Sequence, residues 1–139
     1  MATSFDAQRF VDAQADTYDD AASELRRGRK RTHWMWFVFP QLAGLGASAT
    51  SQLYALDGLD DARAYLAHDI LGQRLLECAR ILTELPGSNP VQVFGAVDAK
   101  KLQSSMTLFS LAAPDQPVFR EVLAKYFGGE LDEGTTSRV

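Results

Sequence analysis

Two short stretches hold the residues best suited to chemistry. The first, residues 26–41, reads RRGRKRTHWMWFVFPQ: Arg26, Arg27, Arg29, Lys30 and Arg31 come first, then Thr32 and His33, then Trp34 and Trp36, with Pro40 and Gln41 closing it. Arg grips phosphate or carboxylate through a fork and Lys acts on it as a point charge. His33 is the side chain most readily poised for proton transfer near neutral pH, which makes it the candidate catalytic acid or base. Trp34 and Trp36 offer ring faces for stacking on a base, a sugar or a cation, and Gln41 an amide for orienting hydrogen bonds. The second stretch, DAKKLQSSM at residues 98–106, sets Lys101 and Ser105 at i and i+4 on one helix face, with Ser104 beside them. A lysine flanked by hydroxyls binds an oxyanion, or activates a serine when the lysine is desolvated. The combination fits a small anionic or nucleotide-derived ligand held by Lys30, Lys101, Thr32, Ser104 and Ser105, provided that the two stretches meet in space.

The same residues also admit plainer roles. Basic residues near a helix C-terminus complement its dipole, and a run such as WMWFVF fits a core. Ser105 adjoins a stripe of Leu102, Met106 and Phe109, where a small serine back-bonded to a carbonyl permits close helix packing. A further alternative is a non-catalytic interaction module that docks an acidic partner through the basic turn at 26–31, leaving the aromatic motif purely structural.

Composition narrows the class. The chain has 139 residues, enough for one domain with one core. It carries 14 Lys and Arg against 18 Asp and Glu, and without the five basic residues at 26–31 the balance is nine positive charges against eighteen negative. An acidic chain with one local basic run argues against nucleic acid as a partner and confines any anion-binding surface to a patch. One cysteine, Cys78, excludes an internal disulfide framework, and with only His33 and His68 beside it no Cys/His-rich zinc site is expected. No secretory signal or spanning apolar run is visible, so a cytoplasmic location with no membrane partner is the expectation. Walker, GxGxxG, HExxH and GxSxG motifs are all missing, and no cofactor is implied. The lone Gly44-Leu45-Gly46 reads as a turn.

The elements that must position these residues read as helices. Ser4 is placed to cap a first helix. A second starts near Asp16 or Thr17, carries Tyr18, Ala21, Ala22 and Leu25 on one stripe, and stops at Gly28. Residues 33–39 are apolar on every side, so periodicity leaves helix and strand both open. A helix near Gly58 is followed by a longer one with Leu71, Leu75, Cys78, Ala79 and Leu82 on one face. Asn89-Pro90 opens a short piece that Gly95 ends. Asp98 can cap the next helix, and Asp115 or Gln116 with Pro117 opens another that stops at Gly128-Gly129. Asp60, Asp61 and the polar tail from about residue 130 read as solvated surface. The prediction is all-α: a single domain of about seven short helices over residues 1–139.

The segments GRKRTHWMWFVFPQL, ARAYLAHDILGQRL, VFGAVDAKKLQSSMTLF and VFREVLAKYFGGELDEGT together resemble a bacterial family, number 1810 among the domains of unknown function, whose members share a mycobacterial Rv-type conserved hypothetical fold. Lys30, Thr32, His33, Trp34, Trp36, Pro40 and Gln41 match its first signature, and Lys101, Ser104, Ser105, Met106, Thr107 and Phe109 its second. The likeness runs over residues 5–135. It implies an irregular, horseshoe-like packing of helices, favours helix over residues 33–39, and implies no established activity. Where the family commonly places proline before the long helix this chain has Asp69, which can serve as an N-cap. The label calpastatin, carried by some members, is at odds with a globular chain without repeats.

Overall fold

The computed structural model describes residues 5–46 and 48–139. Among these residues there is no strand, and nine helices follow one another: α1 (Ala7–Gln14), α2 (Tyr18–Arg26), α3 (Met35–Val38), α4 (Ala49–Leu53), α5 (Leu59–Ala67), α6 (Asp69–Glu84), α7 (Pro90–Ala112), α8 (Val118–Phe127) and α9 (Glu133–Thr136). The fold is all-α, as the sequence predicts. Against the seven or so expected, the additions are the short turns α3, α4 and α9, while the piece begun at Asn89-Pro90 and the helix near Asp98 run together as α7. No helix of the described residues is long and apolar enough to cross a membrane.

Helix α7 is the central rod. It packs against α5, α8 and α9, while α6 packs against α1, α2, α5 and α8. From Ser104 to Ser110 every residue of α7 is buried, four of them hydroxylic. A hydroxyl inside a helix bundle needs an acceptor, and for Ser104, Thr107 and Ser110 the helix supplies its own, whereas Ser105 Oγ finds none among the described residues. Ser104 Oγ donates to the Lys100 carbonyl (3.2 Å), Thr107 Oγ1 to that of Gln103 (2.8 Å) and Ser110 Oγ to that of Thr107 (2.8 Å). Such small side chains let α5 and α8 approach the rod closely. The core around it is rich in rings: Phe10, Trp34, Phe39, Tyr65, Phe109 and Phe119 are fully buried.

Several ends differ from expectation, each for a local reason. Ser4 lies outside the described residues, and the first helix is capped by Asp6, whose carboxylate accepts from Gln8 N. The cap of α6 is His68 rather than Asp69: its Nδ1 accepts from the amides of Ile70 and Leu71, leaving Asp69 as the first helical residue. Gly95 does break the helix begun at Asn89-Pro90. Its φ of 81° lies in the left-handed region, and the rod resumes at once, which puts Asp98 inside the first turn rather than at the cap. Pro117 stands at the cap of α8 without a side-chain bond. Asp61 is buried and accepts from Asp57 N (2.9 Å), so it is not solvated surface. The tail forms α9 and is anchored through a buried Asp132.

Residues 33–39 resolve into the one turn of α3. A polar clasp holds its end. Buried Gln14 donates through Nε2 to the Phe37 carbonyl (2.6 Å) and to Tyr65 Oη (3.0 Å), and Tyr65 Oη also donates to Phe37 O (3.1 Å). Helices α5 and α6 turn a corner so tight that a Cβ added to Gly72 would lie 2.0 Å from the Leu66 carbonyl oxygen. Backbone cannot yield there as a side chain would. Gly72→Ala is therefore expected to cost about 3 kcal/mol or more in a urea unfolding experiment; a loss below about 1 kcal/mol would show that the corner relaxes freely.

Candidate functional site

Two carboxylates that the sequence does not advertise shape the first motif. Glu24, near the end of α2, is buried on the same face as Ala21 and Leu25. Its Oε1 accepts from Arg31 N (2.6 Å), Thr32 N (2.9 Å) and Trp34 Nε1 (3.0 Å), and its Oε2 from Thr32 Oγ1 (2.6 Å). Burial raises the carboxyl's affinity for a proton, but these four hydrogen bonds outweigh it and hold the pKa down at about 2. Residues 31–34 are thereby wrapped around one anion. Thr32 spends its hydroxyl on Glu24, and Trp34 is fully buried with its N–H engaged, so neither of its faces is open to solvent.

The second carboxylate is Asp98. Its Oδ2 lies 2.9 Å from Lys30 Nζ and its Oδ1 3.3 Å from Lys101 Nζ. Each ammonium also sits over an indole: Lys30 at 5.1 Å from the Trp34 ring, Lys101 at 4.7 Å from that of Trp36. Cation–π contacts and a shared counter-ion thus tie both lysines and both tryptophans together. The two sequence motifs do meet, and Asp98 is where they meet. Lys30 has a side chain only 7% exposed and gives a further bond to the Thr32 carbonyl (2.5 Å). Its amide donates to Val93 O (2.7 Å), joining the turn to the leading piece of α7.

Beside this clamp lies an open cleft of about 990 Å³. Its floor is the face of α7 that carries Ala96, Val97, Lys100, Lys101, Gln103 and Ser104. One wall is the loop holding Gln41, Leu45 and Gly46, kept in place where Leu42 bridges to Leu56. The other is residues 130–134, held by Asp132: its Oδ2 accepts from Ser104 Oγ (3.1 Å), Thr135 N (3.0 Å) and Thr135 Oγ1 (2.7 Å), while its amide donates to Thr107 Oγ1 (2.9 Å). Lys100 Nζ stands 3.9 Å from Asp132 Oδ1.

Of the sequence candidates, Gln41, Lys101 and Ser104 line this cleft, and Lys30, Thr32, His33, Trp34, Trp36 and Ser105 do not. His33 is exposed at the surface turn. Ser105 is fully buried on the core side of α7, and its Oγ and the buried Trp36 Nε1 find no hydrogen-bond partner among the described residues. Arg26, Arg27, Arg29 and Arg31 are exposed, Arg26 at 3.9 Å from Glu77. Cys78 is buried, and burial pushes its thiol up to about 12, which leaves it protonated and unreactive. No group of three or more His, Cys, Asp or Glu among the described residues is placed to hold a metal ion. Glu24, Asp98, Lys100 and Asp132 shape the candidate site without having been among the residues the sequence singles out.

With this geometry, comparison with known proteins places the chain in a family. It belongs to the one described as "Protein of unknown function (DUF1810)", whose model matches residues 4–139. It is similar to the conserved hypothetical protein Rv1873 from Mycobacterium tuberculosis, at 49% identity over 97% of this chain and 96% of that one, and the two structures superpose with a TM-score of 0.95. No curated protein matches the chain.

The Glu24 arrangement makes a pH prediction. A carboxyl held at about 2 when folded and near its ordinary 4.5 when unfolded contributes stability that is full above 4.5 and is lost as pH falls toward 2. The total is on the order of 3 kcal/mol. Glu24→Gln is expected to lower neutral-pH stability by about 2–3 kcal/mol and to flatten this part of the acid limb. Urea unfolding of both proteins across that pH range checks it, and parallel acid limbs would contradict the assignment.

Proposed function

We propose that this DUF1810 member binds a small molecule bearing an anionic group in the cleft between α7, residues 41–46 and residues 130–134. The observation that carries the reading is the convergence of Lys100, Lys101, Ser104 and Gln41 on one concavity of small-molecule size. Lys101 is well prepared for the task. Its ammonium is fixed by Asp98 and the Trp36 ring, so little side-chain freedom remains to be lost when a ligand binds. Lys100, with its side chain 74% exposed, is free to swing onto the ligand. Gln41 contributes a neutral hydrogen bond that orients it, while Ser104, whose hydroxyl is given to Asp132, keeps the wall in place.

The Lys-Thr-His-Trp motif takes a supporting part in this reading. Lys30 and Trp34 brace Asp98, Asp98 braces Lys101, and Lys101 faces the cleft. His33 lies outside the lining, so the reading is one of binding, with no proton-transfer role assigned to it. Docking of an acidic partner through the exposed arginines at 26–31 is a separate surface and does not compete for the cleft.

Thermal-shift titration with phosphate, acetate, AMP and ADP-ribose tests the proposal. At least one anion class is expected to raise Tm in the wild-type protein. Lys100→Gln and Lys101→Gln should each weaken that response about tenfold or more in concentration, the scale of a lost charge-assisted hydrogen bond. His33→Ala should leave it unchanged. A response indifferent to both lysines, or abolished by His33→Ala, would overturn the reading.

A further inference from the structure

The cleft is lined by two lysines but by three carboxylates, those of Glu130, Asp132 and Glu133. Lys101 is already shared with Asp98. A ligand that is only an anion therefore enters a site whose fixed charge is net negative. The sharpest conflict is at the Lys100–Asp132 pair, which spans the cleft floor and wall at 3.9 Å. If an anion draws Lys100 away, the Asp132 carboxylate, with a side chain only 7% exposed, loses its counter-charge and gains a negative neighbour. Its Oδ2 is saturated by Ser104 and Thr135, and these donors also hold the wall, so it cannot turn away to water. A cation alone meets the mirror-image problem at Lys100.

Resting on the reading that the cleft takes an anionic group, we propose that its ligand is an amino-acid-type zwitterion. Its carboxylate would meet Lys100 and Lys101, and its ammonium would meet Asp132 Oδ1. Inserting both charges replaces one long ion pair with two and leaves no buried charge uncompensated. The 3.9 Å separation of the two protein charges matches an ammonium and a carboxylate carried on one carbon atom of the ligand and laid antiparallel to them. The remaining lining supplies the side chain's environment. Leu45, Val97 and Leu131 line the cleft, and Val97 and Leu131 are 71% and 39% exposed, unusual for large apolar residues in this chain. An apolar side chain laid across them would remove that surface from water.

Isothermal titration of the full chain separates the charges. Each apolar amino acid is compared with the same skeleton lacking its amino group and lacking its carboxylate: L-leucine, for example, with isocaproate and with isoamylamine. The expected result is that a zwitterion binds about tenfold or more tighter than either one-charge analogue, since only it satisfies both members of the pair. Lys100→Met, checked by circular dichroism and Tm because it strips Asp132 of its counter-charge, should weaken zwitterion binding about tenfold and erase much of the margin over the amine. If the des-amino acids bind as tightly as their amino acids, or phosphate or AMP binds where no amino acid does, the zwitterion assignment falls while the anion reading stands. If none of these probes binds with dependence on the lysines, both fall. Zwitterion binding that Lys100→Met leaves untouched would also overturn the assignment.

Discussion

Burying Glu24 obliges the chain after α2 to fold back upon it. An ionised carboxylate out of water needs donors on both oxygens, and the nearest available are the amides, hydroxyl and indole N–H of residues 31–34. Once those four bonds form, the basic turn has one shape. Trp34 is drawn into the core among Phe39 and Phe94, and Lys30 is delivered to Asp98 on the central rod. The placement of Lys101, and through it one side of the cleft, descends from that first requirement. The sequence of causes runs from a desolvated charge to a turn, from the turn to an ion pair, and from the ion pair to a preorganised ammonium.

A division of labour among the cations follows. Arginines 26, 27, 29 and 31 are exposed, Lys30 is nearly buried and doubly engaged, Lys101 is paired with Asp98, and Lys100 is largely exposed beside Asp132. Charge density along the chain thus runs opposite to relevance for the cleft. The residues that look most like a binding site in one dimension solvate the end of α2, and those that line the concavity are spread over three segments separated by tens of residues.

How much of this was legible depends on whether the signal was local. The α2 stripe, the apolar face of α6, the Asn89-Pro90 start and the Gly95 break all rest on spacing and backbone preference within a turn or two, and the structure carries them as read. The roles of Glu24, Asp98 and Asp132 rest on burial and on partners distant along the chain, neither of which composition records; Asp98, for one, meets Lys30 across about half of the chain. A hint existed for Glu24: it falls three residues after Ala21 on the buried face, where a charge demands a partner. For Asp132 the hint was an acid three residues before Thr135, a capping arrangement rather than a solvated tail. His68 and Asp69 stand side by side at the helix junction and each can cap by type; the structure takes His68, because the choice between adjacent caps is decided by backbone angles that sequence does not print.

The kink at Gly95 has a dynamic corollary. Because the amide ladder of α7 is interrupted there, the leading piece from Pro90 to Phe94 and the rod beyond it are separate hydrogen-bonded units. The leading piece is tied to the body by the Lys30 amide on Val93 O and by the packing of Phe94 on Trp34 and Phe39. The ties of this stretch therefore run to the basic turn and the ring cluster as well as to the rod that continues it. A local opening of residues 90–94 would free the Lys30 amide without requiring the hydrogen bonds of the rod beyond Gly95 to break.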